Sequence, residues 1–313
     1  MCIRDRIICG VGGKHIIYNA MMATINPGDE VIITAPFWVS YPDIVLLAEG
    51  KPVIVECPQS QNFKITPEQL DKNINSNTKW LMLNSPSNPT GSVYSKKELE
   101  DLAHILKKYP NVLIMCDDIY EKIIYDELEF HTLASIEPSL KERCLTLNGV
   151  SKSYCMTGWR LGYCGAPKEI IAAMNKIQSQ STTSTSSITM AAAVEAISGP
   201  QDFIKEHNEK FLKRRDLVLN KLNNIDGITC QKPEGAFYVY PNCEGIIGKK
   251  TPNGSQIFND EDFMTYLLED QGVAGVHGAA FGLSPYFRLS YATSDAILED
   301  ACNRIKEACN KLT

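Results

Sequence analysis

Short apolar runs alternate with helical patterns up to residue 165, and this alternation constrains the fold more than any other feature of the chain. The runs are rich in Val, Ile and Leu and show little polar alternation, as expected for strands that are buried on both faces of a sheet. They lie at residues 30–35, 52–56, 79–84, 112–117, 144–148 and 161–165. Helices are predicted at about 14–25, 40–48, 66–74 and 95–108. This succession predicts an α/β domain with a mostly parallel sheet.

The pattern changes after Lys168. Predicted helices at about 168–178, 187–197 and 201–223 follow one another, and the polar residues between the first two predict a loop. Two strand-like runs at 235–240 and 287–291 come next, and a final helix begins near residue 294. We therefore predict a large α/β domain over residues 7–210 and a smaller α+β domain over residues 211–313.

Composition argues against several classes of protein. The net charge of −6 and the lack of a basic tract argue against nucleic acid or an anionic membrane as the main partner. No apolar run approaches the roughly 18 residues of a membrane helix, and the start shows no signal-peptide pattern. The eleven cysteines include no Cys-x-x-Cys pair and the five histidines do not cluster, which argues against a disulfide framework or a zinc site. A reducing cytoplasm is the predicted location.

Lys152 and Arg160 follow the predicted strand at 144–148, and together they indicate a site for an aldehyde that carries a phosphate. A lysine in a desolvated pocket loses its proton readily and can form a Schiff base with an aldehyde. An arginine held nearby can bind a phosphate through its planar fork of donors. Pyridoxal 5′-phosphate (PLP) combines both groups. The alternative is a surface lysine after one strand and an arginine at the start of the next.

Further candidate residues follow other predicted strands, at the edge where ligands of parallel sheets bind. Gly13 and Lys14 open a predicted helix whose backbone amides can hold a phosphate, although the segment has neither Rossmann nor P-loop spacing. Trp38 follows the strand at 30–35 and can stack on a planar cofactor. Its alternative is a core aromatic residue.

Three more residues have both a functional and a structural interpretation. Asn88 lies in an Asn-Pro-Thr-Gly segment, which a simple turn would also explain. Asp117 closes an apolar strand, where its carboxylate either meets a partner such as a pyridinium N–H or caps a helix. Arg288 lies in a strand-like run and either extends into solvent or binds a carboxylate.

Taken in order, these motifs are highly specific: the sequence resembles the class I/II, fold-type I PLP-dependent aminotransferases, and most of all bacterial aspartate aminotransferases. The likeness covers about residues 7–313. It is carried by the segments at 12–14, 36–42, 84–91, 117–120, 151–162, 235–238 and 287–292. The resemblance implies the type I PLP-dependent transferase fold, with a mostly parallel sheet in the large domain.

The resemblance also implies a set of cofactor contacts. Lys152 would form the Schiff base with PLP and afterwards carry the substrate proton as general base and acid. Asp117 would pair with the pyridine N1–H, Tyr120 and Asn88 would hydrogen-bond the ring O3′, and Trp38 would stack on the ring. Arg160 and the backbone of Gly13 and Lys14 would bind the phosphate.

For the substrate, the resemblance implies that Arg288 binds the α-carboxylate with help from Asn88, beside Trp38. Lys14 would reach the distal carboxylate of a dicarboxylic substrate. Together these roles predict ping-pong transamination of L-aspartate, or a similar dicarboxylic amino acid, with 2-oxoglutarate. The alternatives are a prephenate or aromatic aminotransferase, a carbon–sulfur lyase of the same fold, or a non-catalytic PLP-binding module.

The chain departs from the family pattern at three places. Asp118 stands where the family usually has Glu, and Gly149 stands where some members have a phosphate-binding Ser. The family carries roughly ninety further residues before the Gly-Gly-Lys segment, which supply a substrate lid and an intersubunit phosphate contact. We therefore expect an N-terminally incomplete chain that is a homodimer in its full-length form.

Overall fold

The computed structural model describes residues 4–313, and its centre is a seven-stranded sheet in the order β1-β7-β6-β5-β4-β2-β3. Its strands are β1 (Ile7–Gly10), β2 (Glu30–Ala35), β3 (Lys51–Glu56), β4 (Thr78–Asn84), β5 (Leu113–Asp117), β6 (Cys144–Gly149) and β7 (Gly162–Gly165). Strands β2 to β6 pair in parallel, whereas β7 is antiparallel to both of its neighbours. The predicted mostly parallel sheet is confirmed, and β1, whose run is short, was missed.

The α-helices of the described residues lie within one or two residues of their predicted positions, except for those at 133–136 and 260–271, which were not predicted. They are α1 (Gly13–Thr24), α2 (Ser40–Leu47), α3 (Pro67–Asn73), α4 (Lys96–Lys107), α5 (Leu133–Ile136), α6 (Lys168–Gln180), α7 (Ser187–Ser198), α8 (Asp202–Leu222), α9 (Asp260–Gln271) and α10 (Asp295–Asn310). Capping boxes from Thr66 and Ser95 begin α3 and α4. Because these signals are local, they could be read from the sequence.

Helices cover both faces of the seven-stranded sheet. Ile32 and Ile33 are adjacent in β2, and both are fully buried because they point into different apolar clusters. One cluster contains residues of α1, α2 and α6, and the other contains residues of α3, α4 and α5. Burial on both faces explains why the strands of this sheet show no polar alternation.

A second, smaller sheet lies in the C-terminal part of the chain. Its strands are β8 (Tyr238–Val239), β9 (Val276–His277) and β10 (Phe287–Ser290), and they pair antiparallel in the order β8-β10-β9. The predicted strand at 235–240 is therefore only two residues long, and α9 and β9 were not predicted. A third apolar cluster joins α8, α9, α10 and this sheet. Helix α8 runs across the predicted boundary at 210/211, and the division into two domains stays a prediction.

In the residues that the structure describes, no helix is both long and apolar enough to cross a membrane. The ten cysteines of residues 4–313 are all free, and most of them are buried.

Candidate active site

A cavity of about 320 Å³ lies at the carboxyl ends of β4, β5 and β6. All nine predicted site residues line it: Gly13, Lys14, Trp38, Asn88, Asp117, Tyr120, Lys152, Arg160 and Arg288. Eight further residues complete its wall: Ile17, Tyr41, Asn84, Ile119, Leu147, Ser151, Thr157 and Tyr238. The structure thus brings every predicted residue to one place.

Lys152 lies in the connection between β6 and β7 and is partly buried. Its Nζ lies 5.7 Å from the centre of the Tyr120 ring and 5.6 Å from that of Phe237. Burial lowers the pKa of Lys152 below its usual value; the positive charge of Arg288 lowers it further, and Asp117 opposes the change. A lysine with a lowered pKa more easily supplies the neutral amine that attacks an aldehyde.

Two glycines close the base of the loop that holds Lys152. Gly149, the last residue of β6, pairs with Gly162, the first residue of β7, so the two strands form a hairpin with Lys152 in its loop. A Cβ on Gly149 would lie 2.9 Å from the Leu161 carbonyl oxygen, and one on Gly162 would collide with the backbone of Gly12 and Gly13. Neither position has room for a side chain, so the loop packs directly on the start of α1. This crowding excludes a phosphate-binding serine at position 149.

The start of α1 and Arg160 form a corner suited to a phosphate. Within the described residues, no side chain caps α1 and its first turn contains no acidic residue. Gly12 has a φ of 89°, and a Cβ there would collide with the Arg160 guanidinium, which shows how closely the two approach. Arg160 is fixed by a hydrogen bond of 2.8 Å from its Nη1 to the Thr157 carbonyl oxygen. Free amides, the helix dipole and a guanidinium together favour an anion.

Asp117 ends β5 and presents its carboxylate to the cavity. The hydroxyl of Tyr41 donates to its Oδ2 at 2.7 Å, and the Ile119 amide donates to its Oδ1 at 3.3 Å. Burial raises the pKa of Asp117 to about 6, although Tyr41, the Ile119 amide and Lys152 all oppose the rise. Asp117 is followed by a turn and not by a helix, so the alternative interpretation as a helix N-cap is wrong.

Tyr41→Phe is expected to raise the pKa of Asp117 above the value of about 6, because it removes the hydroxyl that stabilises the carboxylate. The carboxylate is charged above this pKa and neutral below it, so the variant should lose the charge at a higher pH than the wild type. Isotope-edited infrared titration of the cofactor-free protein would measure the midpoint. An unchanged midpoint would show that the hydroxyl does not stabilise the charge.

Asn88 and Arg288 meet across the cavity although 200 residues separate them. Arg288 Nη1 donates to Asn88 Oδ1 at 2.9 Å, while the backbone N–H of Asn88 donates to Asn84 Oδ1 at 2.8 Å. The guanidinium lies 4.6 Å from the Tyr238 ring centre and 5.0 Å from that of Phe281. These contacts hold the fork of Arg288 in the cavity; the alternative, an arginine that extends into solvent from an edge, is wrong.

Lys14 and Trp38 form the open side of the cavity. Lys14 Nζ lies 4.9 Å from the centre of the Trp38 ring, and the lysine is exposed. The Trp38 ring meets Tyr41 edge to face, with ring centres 5.5 Å apart. A cation over an aromatic face is weakly held, so Lys14 can turn toward an arriving anion.

Sequence reasoning assigned no role to Tyr41 or Tyr238. Tyr41 lies three residues after Trp38, in the first turn of α2, and its backbone N–H donates to the Trp38 carbonyl oxygen at 2.9 Å, which brings both side chains to the cavity. Tyr238 lies in the two-residue strand β8 and shares a hydrogen bond with Tyr120, with 3.0 Å between the two hydroxyl oxygens. The spacing to Trp38 could have indicated Tyr41, whereas no local pattern indicates Tyr238.

The charges of the cavity fit PLP group by group. The anion corner at α1 and Arg160 suits the phosphate, Asp117 suits a protonated pyridine nitrogen, and Lys152 suits the aldehyde. Asp117 is a buried carboxylate that faces the cavity with only neutral hydrogen-bond donors, from Tyr41 and Ile119, on its two oxygens. A cationic N–H would supply the counter-charge that such a group needs.

Comparisons with known proteins agree with this chemistry. A relative from Cereibacter sphaeroides named aspartate/prephenate aminotransferase is 56% identical over 308 residues, which are 98% of this chain and 77% of the relative. An aspartate aminotransferase from Rhizobium meliloti is 54% identical over 309 residues, which are 99% of this chain and 75% of that protein. A crystal structure of the aspartate aminotransferase from Rhizobium meliloti matches with a TM-score of 0.97 and 54% identity, over 99% of this chain and 77% of that structure.

The family description "Aminotransferase class I and II" matches residues 3–305. The predicted type I fold and the predicted cofactor class are thereby confirmed. This chain belongs to the class I and II aminotransferases, which are PLP-dependent enzymes.

Proposed function

We propose that this protein transfers the amino group of L-aspartate, or a similar dicarboxylic amino acid, to 2-oxoglutarate in two half-reactions. The observation that carries the proposal is that Lys152 shares one cavity with three cations: Arg160, which we assign to the phosphate, and Arg288 and Lys14, which remain for the substrate. A substrate with two carboxylates meets both cations, and its Cα then lies near the lysine. The names of the relatives support the same substrate class.

We propose that seven residues, besides Lys152, hold the cofactor in this reaction. PLP, when bound, supplies the electron sink for breaking the Cα–H bond of the substrate. Asp117 holds the charge of the pyridine nitrogen, Arg160 and the amides of Gly13 and Lys14 hold the phosphate, and Trp38 covers the ring. Tyr120 and Asn88 hold the ring oxygen. Every one of these contacts is available from the wall of the same cavity.

Lys152 is the proposed proton carrier. Its lowered pKa leaves a larger neutral fraction of the amine at neutral pH, and a neutral amine can accept the proton from the substrate Cα. The aromatic rings of Tyr120 and Phe237 lie together on one side of its Nζ, with ring centres 5.7 Å and 5.6 Å from the nitrogen and 5.5 Å from each other. Burial therefore favours the neutral form of the amine that this role requires.

Arg288 is the proposed binding group for the α-carboxylate. Its fork matches a carboxylate, and the bond to Asn88 fixes its orientation before the substrate arrives. This group recognises a feature that all amino acids share. Selectivity for a second carboxylate therefore depends on Lys14.

Lys14→Ala is expected to lower kcat/KM for aspartate by about tenfold, and to leave kcat/KM for an aromatic amino acid within roughly twofold. The effect is moderate because Lys14 is exposed and water screens its charge. Steady-state kinetics with both substrates would measure the ratio. Lys168→Ala, which removes an exposed lysine far from the cavity wall, is the matched control.

Equal losses for both substrates in Lys14→Ala would refute the role of Lys14 in substrate choice. Release of ammonia from aspartate or cysteine without an oxo acid would indicate a lyase. Prephenate is a second candidate acceptor, because the relative from Cereibacter sphaeroides carries that name and the compound also has two carboxylates. Competition between prephenate and 2-oxoglutarate in the same assay would test it.

We also propose that the protein acts as a homodimer in the cytoplasm. Helix α7 leaves a row of apolar side chains in contact with solvent at i, i+4 and i+7 spacing, namely Met190, Val194 and Ile197, at 42%, 65% and 42% exposure. A contiguous exposed apolar face indicates a surface that another chain covers. The free cysteines of residues 4–313 are compatible with a reducing compartment.

A further inference from the structure

The hydroxyls of Tyr120 and Tyr238 form an isolated buried pair at the cavity wall. Their oxygens lie 3.0 Å apart, and only 3% and 6% of the two residues is exposed. Each hydroxyl carries a single proton, so one of them donates to the other. The direction of this bond decides whether the proton of Tyr120 is available to a group in the cavity.

Arg288 packs directly on the ring of Tyr238. Its guanidinium lies over the Tyr238 ring at 4.6 Å, and a nearby cation makes a phenol a better donor. Burial raises the pKa of both hydroxyls. That of Tyr120 rises well above its usual range because Tyr238 and Asp117 add to the rise, whereas Arg288 opposes the rise at both residues. Tyr238 is therefore the stronger acid of the pair and its better donor.

We infer that Tyr238 is a positioning residue: it donates to Tyr120 and thereby directs the proton of Tyr120 into the cavity. This inference rests on the proposed function, in which Tyr120 hydrogen-bonds the ring oxygen of PLP. A hydroxyl that accepts a hydrogen bond becomes a stronger donor itself, so the bond from Tyr238 to Tyr120 strengthens the bond from Tyr120 to the ring oxygen. The charged and titratable groups that face this pair are Lys152, Asp117 and Arg288.

The arrangement links the two halves of the site. The same Tyr238 side chain contacts the proposed carboxylate-binding group through its ring and the proposed cofactor-binding group through its hydroxyl. A carboxylate bound to Arg288 would neutralise the cation over the Tyr238 ring. Tyr238 would then donate less strongly, so substrate binding would weaken the hydrogen bond from Tyr120 to the ring oxygen.

Tyr238→Phe tests this inference because it removes the hydroxyl and keeps the ring under Arg288. The holoenzyme is titrated with pH, and the absorption of the lysine–cofactor linkage gives a midpoint. In Tyr238→Phe the midpoint should rise by roughly half to one pH unit, because the ring oxygen is less well stabilised as an anion. Binding of succinate, a non-reacting dicarboxylate, should change by less than about twofold, because the contact with Arg288 remains.

A double-mutant cycle tests whether Tyr238 changes the midpoint by acting through Tyr120. If Tyr238 acts through Tyr120, then Tyr120→Phe and the double variant should show the same midpoint. Additive shifts, or an unchanged midpoint in Tyr238→Phe, would overturn the inference. Tyr291→Phe is the matched control: it removes a buried hydroxyl from a second tyrosine pair, 3.3 Å from that of Tyr125 and outside the cavity wall, and should leave the midpoint unchanged.

Failure of the proposed function has a different signature. If Lys152→Ala retains the pH-dependent absorption, the linkage is at another residue and the proposed function is wrong. If that absorption is lost in Lys152→Ala and Tyr238→Phe has no effect, only the role of Tyr238 is wrong.

Discussion

Lys152→Ala is expected to abolish covalent binding of PLP and to lower transaminase turnover by roughly 10⁴-fold or more, because one side chain supplies both the linkage and the proton carrier. The neighbouring groups cannot replace it. Tyr120 has a pKa well above its usual range, and Asp117 is occupied by two hydrogen bonds. Reduction of the holoenzyme with borohydride, followed by peptide mass spectrometry, would locate the modified lysine.

Lys14→Ala is the control for this experiment, since Lys14 lines the same cavity but is exposed. It should retain the covalent adduct on Lys152. Mapping of the adduct to Lys14, or to any lysine other than Lys152, would refute the assignment. Retention of substantial turnover in Lys152→Ala would refute the proton-carrier role separately, even if the adduct maps as expected.

Arg288→Ala is expected to lower kcat/KM by about 10²- to 10³-fold for every amino acid tested, because the α-carboxylate is common to all of them. The loss follows from the removal of a two-pronged charged contact worth about 3–4 kcal/mol. Arg288→Lys should recover only part of the rate, since an ammonium keeps the charge but lacks the fork. Half-reaction kinetics with aspartate and phenylalanine would measure both effects.

This uniform loss contrasts with the selective loss predicted for Lys14→Ala, and the pair of variants separates the two carboxylate sites. Covalent binding of PLP should persist in Arg288→Ala, because the proposed cofactor contacts lie elsewhere on the cavity wall. If Arg288→Ala lowered kcat/KM for aspartate but not for phenylalanine, Arg288 would bind the distal carboxylate and Lys14 the α-carboxylate, the reverse of the proposed roles. Loss of cofactor binding would place Arg288 among the cofactor ligands.

The sequence predicted the large sheet and the composition of the site because both depend on local patterns. Fully buried strands lack the alternation of polar and apolar residues. This property predicted the bounds of β2, β4 and β5 to within one or two residues. In addition, parallel strands end at one edge, so polar residues after each strand converge there. Local patterns therefore made Asn88, Asp117 and Lys152 candidates at this edge, and the resemblance to the aminotransferases assigned their roles; the structure places all three on one cavity wall.

The features that escaped prediction depend on tertiary contacts. Strands β8 and β9 have two residues each, too few for any periodicity, and they exist because β10 lies between them. The Arg288–Asn88 bond joins two distant segments, and the Tyr238–Tyr120 bond depends on how the C-terminal cluster packs. The exposure of Lys14 was also not visible in the sequence, and it reduces the expected effect of its removal.

The antiparallel strand β7 has a consequence for engineering this enzyme. Because Gly149 and Gly162 are paired, Lys152 and Arg160 belong to one closed hairpin loop, whose length cannot change without moving both. Arg288 lies on the other sheet. The residues around β10 can therefore be varied while the hairpin, and with it Lys152 and Arg160, is left untouched. Libraries that randomise the C-terminal segment should thus yield more cofactor-binding variants than libraries of equal size that insert residues between β6 and β7.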